Sequence, residues 1–233
     1  DGEISLDSIY LKDSSYIESN QSSITIDKRV VLDNNSSIYA IYGDIVKLKD
    51  VALNDNSKIY TDSADINITG SLNLKDNSYI YSKNANIKAL DLNLSNNAYI
   101  YANAKINLNS IYLKDSSYIE SNQSDLIIDG LVNMENNSSL YAMNNARLKI
   151  AKDVVLNDNS KIYTKNSNIE LDSNTTLYKN SYIYSEHGNL SIKKDTKLFD
   201  SSYITTGGNI VLTNVIAKDN TKIFSKNKNS KMF

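Results

Sequence analysis

The sequence predicts an all-β protein of the parallel β-helix class, in which the chain winds into about eleven similar coils. Three observations predict this class: a short motif that recurs along the whole chain, an alternation of apolar and polar residues around each copy, and a long duplicated block. A period of about 20 to 50 residues is the signature of a solenoid or array. We therefore predict one continuous β-solenoid over residues 1–233, with no internal domain boundary and no polar cap at either end.

The recurring motif reads Asp/Asn-Asn-Ser-x-Ile-Tyr, and its apolar residue marks one point in each coil. It occurs eleven times, at intervals of 19 to 22 residues, at Ile17, Ile38, Ile59, Ile80, Ile100, Ile119, Leu140, Ile162, Ile183, Ile204 and Ile223. A composition rich in Asn, Asp, Ser and Lys would by itself favour disorder. A disordered chain has no reason to keep an apolar residue in register, whereas a folded core does.

Each coil contains three short segments in which every second residue faces the core, which is the pattern of a strand with one buried side. The first segment is represented by Leu72 and Leu74, and the third by Ile66 and Ile68. The second segment contains the motif isoleucine between two small residues. Three strands per coil predict a triangular, single-stranded β-helix whose strands pair in parallel at about 4.8 Å. The crossover rule predicts a right-handed winding, and eleven coils predict a rod of roughly 50 Å.

The corner between the first and second strands carries asparagine three positions before the motif isoleucine in eight of eleven copies. Asparagine tolerates the left-handed backbone of a sharp corner, and stacked amides can hydrogen-bond from coil to coil. We therefore predict an internal asparagine ladder. Its members are Asn35, Asn56, Asn77, Asn97, Asn137, Asn159, Asn180 and Asn220.

A longer repeat is superimposed on the coils. Residues 8–22 read SIYLKDSSYIESNQS, and residues 110–124 repeat these letters without a change, 102 residues or five coils later. Copying a block of coils lengthens a surface and does not readily create a second active site. The duplication therefore favours a protein that works through an extended, repetitive surface.

Tyrosine is concentrated on the outward side of the second strand, where 13 of the 17 tyrosines directly precede or follow the motif residue. Equivalent positions of adjacent coils should form a tyrosine ladder, whose rings stack on one another or on sugar rings or a partner protein. We predict a binding face on this side of the rod. Its residues are Tyr79, Tyr81, Tyr99, Tyr101, Tyr118, Tyr182, Tyr184 and Tyr203.

Composition argues against several other functions. The net charge of -2 arises from 25 basic and 27 acidic residues that are well mixed, so no nucleic-acid footprint is expected. Cysteine is absent, and no apolar run reaches the roughly 18 residues of a membrane span. A polysaccharide-active β-helix enzyme is the weakest alternative, because no long loop is inserted and only Arg29 and Arg147 are arginine. We predict no catalytic residue, no metal ligand and no cofactor.

The uniform coils, the near-identical block duplication, the absence of cysteine and the Asn/Ser-rich turns resemble the passenger rods of bacterial surface adhesins. The nearest likenesses are the filamentous-haemagglutinin type and the self-associating autotransporters. The resemblance covers all 233 residues and implies an extracellular or cell-surface location. It also implies adhesion or aggregation, with a second copy of the chain or a cell-surface protein or glycan as partner. The alternative is a structural subunit that stacks end to end into an extracellular fibre.

Overall fold

The structure, a computed structural model, describes residues 2–227 and residue 231. These residues form strands and turns and contain no helix, and hence none that is long and apolar enough to cross a membrane. The strands are β1 (Ile4–Leu6), β2 (Ile9–Leu11), β3 (Tyr16–Ser19), β4 (Ile24–Leu32), β5 (Ser37–Ala40), β6 (Ile45–Leu53), β7 (Lys58–Thr61), β8 (Asp65–Ile68), β9 (Leu72–Leu74), β10 (Tyr79–Ser82), β11 (Ile87–Ala89), β12 (Leu92–Leu94), β13 (Tyr99–Ala102), β14 (Ile106–Leu108), β15 (Ile111–Leu113), β16 (Tyr118–Ser121), β17 (Leu126–Ile128), β18 (Val132–Met134), β19 (Ser139–Ala142), β20 (Leu148–Ile150), β21 (Val154–Leu156), β22 (Lys161–Thr164), β23 (Ile169–Leu171), β24 (Thr175–Leu177), β25 (Tyr182–Ser185), β26 (Leu190–Leu198), β27 (Tyr203–Thr206), β28 (Ile210–Ala217) and β29 (Lys222–Ser225).

The predicted all-β parallel solenoid of about eleven coils is confirmed. The second strands of the coils form one parallel sheet of 11 strands, which we call the motif sheet and which consists of β3, β5, β7, β10, β13, β16, β19, β22, β25, β27 and β29. In this sheet Ile80 lies opposite both Ile59 and Ile100, so the motif residues form one column. The first and third strands form a second sheet of 18 strands, which we call the flanking sheet.

The core lies inside the coils and is built from the apolar residues of all three strands. In one coil these residues are Ile66 and Ile68, Leu72 and Leu74, and Ile80, none more than 1% exposed. Full burial of such a side chain stabilises a fold by roughly 1.5–3 kcal/mol. Because each coil contributes a similar set, the core is one continuous column along the rod.

The corner before each motif strand has a backbone that favours asparagine and aspartate. Two consecutive residues there have positive φ angles in every coil, as for Asn96 at 52° and Asn97 at 62°. Left-handed backbone is costly for most L-residues and least costly for glycine, asparagine and aspartate. The backbone N–H of Asn97 donates to the carbonyl of Asp115 in the next coil at 2.9 Å, so the corners also pair.

The predicted internal asparagine ladder needs a correction, because the side chains of its members lie at the surface. All eight are exposed: Asn35, Asn56, Asn77, Asn97, Asn137, Asn159, Asn180 and Asn220. Asparagine ladders do exist, but they run along the outside and use neighbouring residues. The Nδ2 of Asn96 donates to Oδ1 of Asp76 at 2.7 Å, and Nδ2 of Asn136 donates to Oδ1 of Asp115 at 3.0 Å.

The internal ladder at this corner is made of serine, two positions before the motif isoleucine. Eight serines there are 0% exposed: Ser36, Ser57, Ser78, Ser117, Ser138, Ser160, Ser181 and Ser202. The Oγ of Ser117 accepts the N–H of Lys114 and donates to the carbonyl of Leu94 in the preceding coil, both at 3.1 Å. Since this serine occupies the inside of the corner, the asparagine before it points outward.

Candidate binding face

The tyrosines stand on the outer side of the motif sheet because its strands alternate strictly. In β10, Ile80 and Ser82 are buried while Tyr79 and Tyr81 are half-buried on the opposite side. Strand pairing then stacks equivalent positions of successive coils into two columns. We call the residues before the motif residue the leading column, those after it the trailing column, and both together the tyrosine face.

The centre of the tyrosine face carries parallel ring stacks in both columns. In the leading column the ring centroids of Tyr79 and Tyr99 lie 4.8 Å apart, and those of Tyr99 and Tyr118 lie 5.0 Å apart, with interplanar angles of 4° and 3°. In the trailing column the Tyr81 and Tyr101 centroids are 5.0 Å apart. The predicted tyrosine ladder is confirmed, and five of the eight predicted site residues lie together in it.

The other three predicted site residues form a separate group three coils further along the sheet. Tyr182 and Tyr203 stack in the leading column with centroids 4.7 Å apart. Tyr184 lies in the trailing column beside Tyr163, whose ring meets it edge-on at 5.4 Å and 67°. The predicted face is therefore one aromatic surface, in which the edge-on rings of Tyr141 and Tyr163 join two regions of parallel stacking.

Lysines belong to the tyrosine face in addition to the predicted tyrosines. The Nζ of Lys161 lies 5.3 Å from the ring centroid of Tyr141, between the two regions of parallel stacking. The Nζ of Lys58 lies at the same distance from the ring of Tyr39, which is the equivalent position in the first half of the chain. A cation over a ring contributes about 0.5–1 kcal/mol at such exposed sites. The signal was present in the sequence, since Lys58 and Lys161 occupy leading-column positions that hold tyrosine in other coils.

Electrostatics keep the central tyrosines of the face protonated over the ordinary pH range. Partial burial among neighbouring rings raises the pKa of Tyr99 to about 12, because the phenolate loses hydration there. Burial also raises the pKa of Tyr101 and Tyr118. The carboxyl of Glu120 has a raised pKa for the same reason. The centre therefore offers flat apolar rings edged by phenol hydroxyls, while ammonium groups lie at its margins.

Among the residues that the structure describes, no group of three or more His, Cys, Asp or Glu side chains is placed to hold a metal ion. Comparisons with protein-family models, with curated proteins and with solved structures give no match to this chain. The tyrosine face is the feature from which a function can be inferred.

Proposed function

We propose that this protein is a non-enzymatic rod, secreted or exposed at a cell surface, that adheres through the tyrosine face to a cell-surface protein or glycan or to a second copy of itself. The observation that carries the proposal is the run of stacked rings Tyr79, Tyr99 and Tyr118 beside Tyr81 and Tyr101. Tyrosine is enriched in interface hot spots because a large ring with a polar tip loses little conformational entropy on binding.

The stacked rings are also preorganised for binding. Each central ring is held by neighbours about one strand spacing away, so its rotamer is largely set before a partner arrives. A partner that docks on such a surface avoids much of the usual cost of ordering side chains, about 0.5–1.5 kcal/mol for each flexible residue. A flat and rigid aromatic strip suits another flat surface, such as a sugar ring or an equivalent strip on a second rod.

The location is part of the same proposal. Support comes from the resemblance of the uniform, cysteine-free coils to adhesin rods. The duplication of five coils supports adhesion itself, because repeated units give a rod several similar contact points and hence avidity.

The test removes the central rings with a quadruple variant, Tyr79→Ser, Tyr81→Ser, Tyr99→Ser and Tyr101→Ser. Self-association is followed by analytical ultracentrifugation, and adhesion by binding of labelled protein to cells and to immobilised glycans. We expect both readouts to fall to background if they use this face, while circular dichroism still shows a β-solenoid. The matched control replaces four exposed residues of the flanking sheet, Asn73→Ser, Lys88→Ser, Asn93→Ser and Asn133→Ser, and should retain binding.

Full binding by the tyrosine variant would refute the assigned face. The fibre alternative has its own readout in negative-stain electron microscopy over a concentration series. Long fibres of constant width that persist in the tyrosine variant would favour end-to-end stacking. Isolated rods of roughly 50 Å would favour adhesion through the side of the rod.

A further inference from the structure

The trailing column is interrupted near its end by a small residue. Thr205 lies between Tyr184 of the preceding coil and Phe224 of the following coil. An open cavity of about 450 Å³ lies at this gap and extends across both columns. Its lining residues are Tyr182, Tyr184, Tyr203, Thr205, Lys222, Phe224 and Lys226. We call this cavity the Thr205 cleft.

The cleft is one ring wide. In the uninterrupted stack Tyr79, Tyr99 and Tyr118, consecutive centroids lie 4.8 and 5.0 Å apart. Tyr184 and Phe224 are separated by two strand spacings, or about 9.6 Å. This separation leaves room for one six-membered ring between the side chains of Tyr184 and Phe224. The ligand would take the place of the aromatic side chain that this coil lacks.

The floor of the cleft holds an unsatisfied polar group. Thr205 is only 2% exposed, and its hydroxyl has no hydrogen-bond partner among the residues that the structure describes. A buried hydroxyl without a partner costs free energy, which a ligand with a hydroxyl or carboxylate of its own can recover. A ring with polar substituents therefore fits better than a purely apolar ring.

The charge at the cleft is positive. The Nζ of Lys226 lies 4.1 Å from the ring centroid of Tyr184 and donates to its Oη at 2.9 Å, so a cation partly occupies the place of the missing ring. Lys222 stands at the other side of the opening, in the leading column. Glu186 is an acidic group near Lys226, and its carboxylate, which accepts a hydrogen bond from Tyr163, stays charged, so two ammonium groups stand against one carboxylate here. The two ammonium groups favour an anionic substituent on the ring.

We propose that the Thr205 cleft binds one pyranose ring that carries a carboxylate, such as a hexuronic acid unit of an acidic polysaccharide. Lys226 leaves the ring of Tyr184 and pairs with the carboxylate together with Lys222. The C–H faces of the sugar then lie against Tyr184 and Phe224, and a ring hydroxyl meets Thr205. A flat aromatic acid would fill the width but would offer no hydroxyl to the floor. This inference rests on the proposed adhesive function and names a ligand class for one part of the tyrosine face.

The experiment measures binding of a galacturonic acid trimer by isothermal titration calorimetry at physiological ionic strength. A galactose trimer serves as the neutral probe, and benzoate as the planar aromatic acid. We expect the acidic trimer to bind and each of the other two probes to bind at least about tenfold more weakly, because each lacks one of the charged or hydroxyl contacts. Equal binding of the galactose trimer would overturn the anionic part of the proposal, and tighter binding of benzoate would overturn the sugar.

Two variants test the geometry. Thr205→Tyr should complete the ring stack, fill the cleft and abolish binding of the trimer. Its control, Glu120→Tyr, adds a tyrosine to the same column between Tyr101 and Tyr141 and should bind as the unmodified protein does.

Lys226→Met keeps the length of the side chain, removes the charge and should weaken binding about tenfold. It is the deciding variant if Thr205→Tyr fails to fold.

Unchanged binding in a folded Thr205→Tyr or in Lys226→Met would overturn the proposal, as would a failure of the unmodified protein to bind the trimer. These outcomes are independent of the adhesion test, since the cleft shares no residue with the set Tyr79, Tyr81, Tyr99 and Tyr101. Failure of the unmodified protein to bind the trimer, with intact adhesion, would refute the cleft alone. Loss of adhesion in the quadruple serine variant, with intact trimer binding, would place adhesion at the central rings and sugar capture at the cleft.

Discussion

The two sides of the motif sheet are made by alternate residues of the same strands, yet they vary very differently from coil to coil. The inward column repeats isoleucine ten times with one leucine, Leu140. The outward trailing column holds tyrosine in seven coils and glutamate, threonine or phenylalanine in the others, as at Glu120, Thr205 and Phe224. The inner volume is set by the coils above and below, whereas an outward side chain has solvent on one side.

The inward residues therefore maintain the fold of the rod, whereas the outward residues determine what its surface can bind. The inward residues are close-packed, and a core of that density tolerates little change in volume or polarity. The outward rings stack, but a cross-strand pair on an open face contributes only about 0.2–1 kcal/mol. Recognition can therefore change along the tyrosine face without loss of the fold, as the contrast between the stacked centre and the Thr205 cleft illustrates.

The largest effect is expected from a charge placed on the inner side. Ile100 is 0% exposed in a central coil, so Ile100→Asp should cost more than about 4 kcal/mol and prevent stable folding, since a buried carboxylate would have no partner. The same change one residue later, Tyr101→Asp, should cost no more than about 1–2 kcal/mol, because solvent can hydrate the carboxylate. Urea unfolding measures both. Similar losses in the two variants would abolish the contrast between the faces.

The next effect concerns the buried serine ladder. Ser117→Val should lower the free energy of unfolding by about 2 kcal/mol, because two hydrogen bonds to Oγ are lost at about 1 kcal/mol each, while the N–H of Lys114 still donates to the carbonyl of Leu94 at 3.0 Å. One motif coil has alanine at this position, Ala98, which is also fully buried. The reciprocal variant Ala98→Ser should therefore be neutral or stabilising by up to about 1 kcal/mol. A stabilising Ser117→Val would mean that the position needs only a small side chain.

A smaller effect is expected at the corner asparagine. Asn97 has a φ of 62° and an exposed side chain, so Asn97→Leu should destabilise by about 1–2 kcal/mol through backbone strain. Asn97→Gly should have little effect, since glycine adopts positive φ readily. Thermal melting compares the two variants. Equal losses would instead point to the asparagine amide as the source of stability.

The smallest effect is a dependence on alkaline pH that comes from the outer face. The pKa of Tyr99 is raised to about 12 in the folded protein, above the unfolded value of about 10. Between these values the folded state binds more protons than the unfolded state, so stability is complete below about pH 10 and falls as the pH rises toward 12. Urea unfolding at neutral pH and at about pH 11 should show the loss, and Tyr99→Phe should reduce it. A stability that rises over this interval would contradict the raised pKa.

Much of the fold could be predicted because the same pattern of apolar and polar residues repeats in every coil. The position of Ile100 relative to Ile80 and Ile119 already places three residues in one buried column, and the alternation around them puts Tyr99 and Tyr101 on the outside. The direction of the corner side chains could not be predicted in this way. Asn97 and Ala98 are neighbours, and which of them faces inward depends on two successive left-handed residues that no period of two or three describes.

By itself, then, the sequence determined the number of coils, their strands, their parallel register and the side of the sheet on which tyrosine stands, because each follows from a repeat that a continuous core must obey. Only the tertiary structure decided which small residues form hydrogen bonds in the buried corner and where the outer column of aromatic rings is interrupted. Ser117 stabilises its corner by donating a hydrogen bond to the carbonyl of Leu94, which lies 23 residues earlier in the chain. Thr205 becomes the floor of a cleft because Tyr184 and Phe224 lie on either side of it in the stacked coils. The serine hydrogen bond and the cleft both depend on contacts between adjacent coils, which form only when the coils stack.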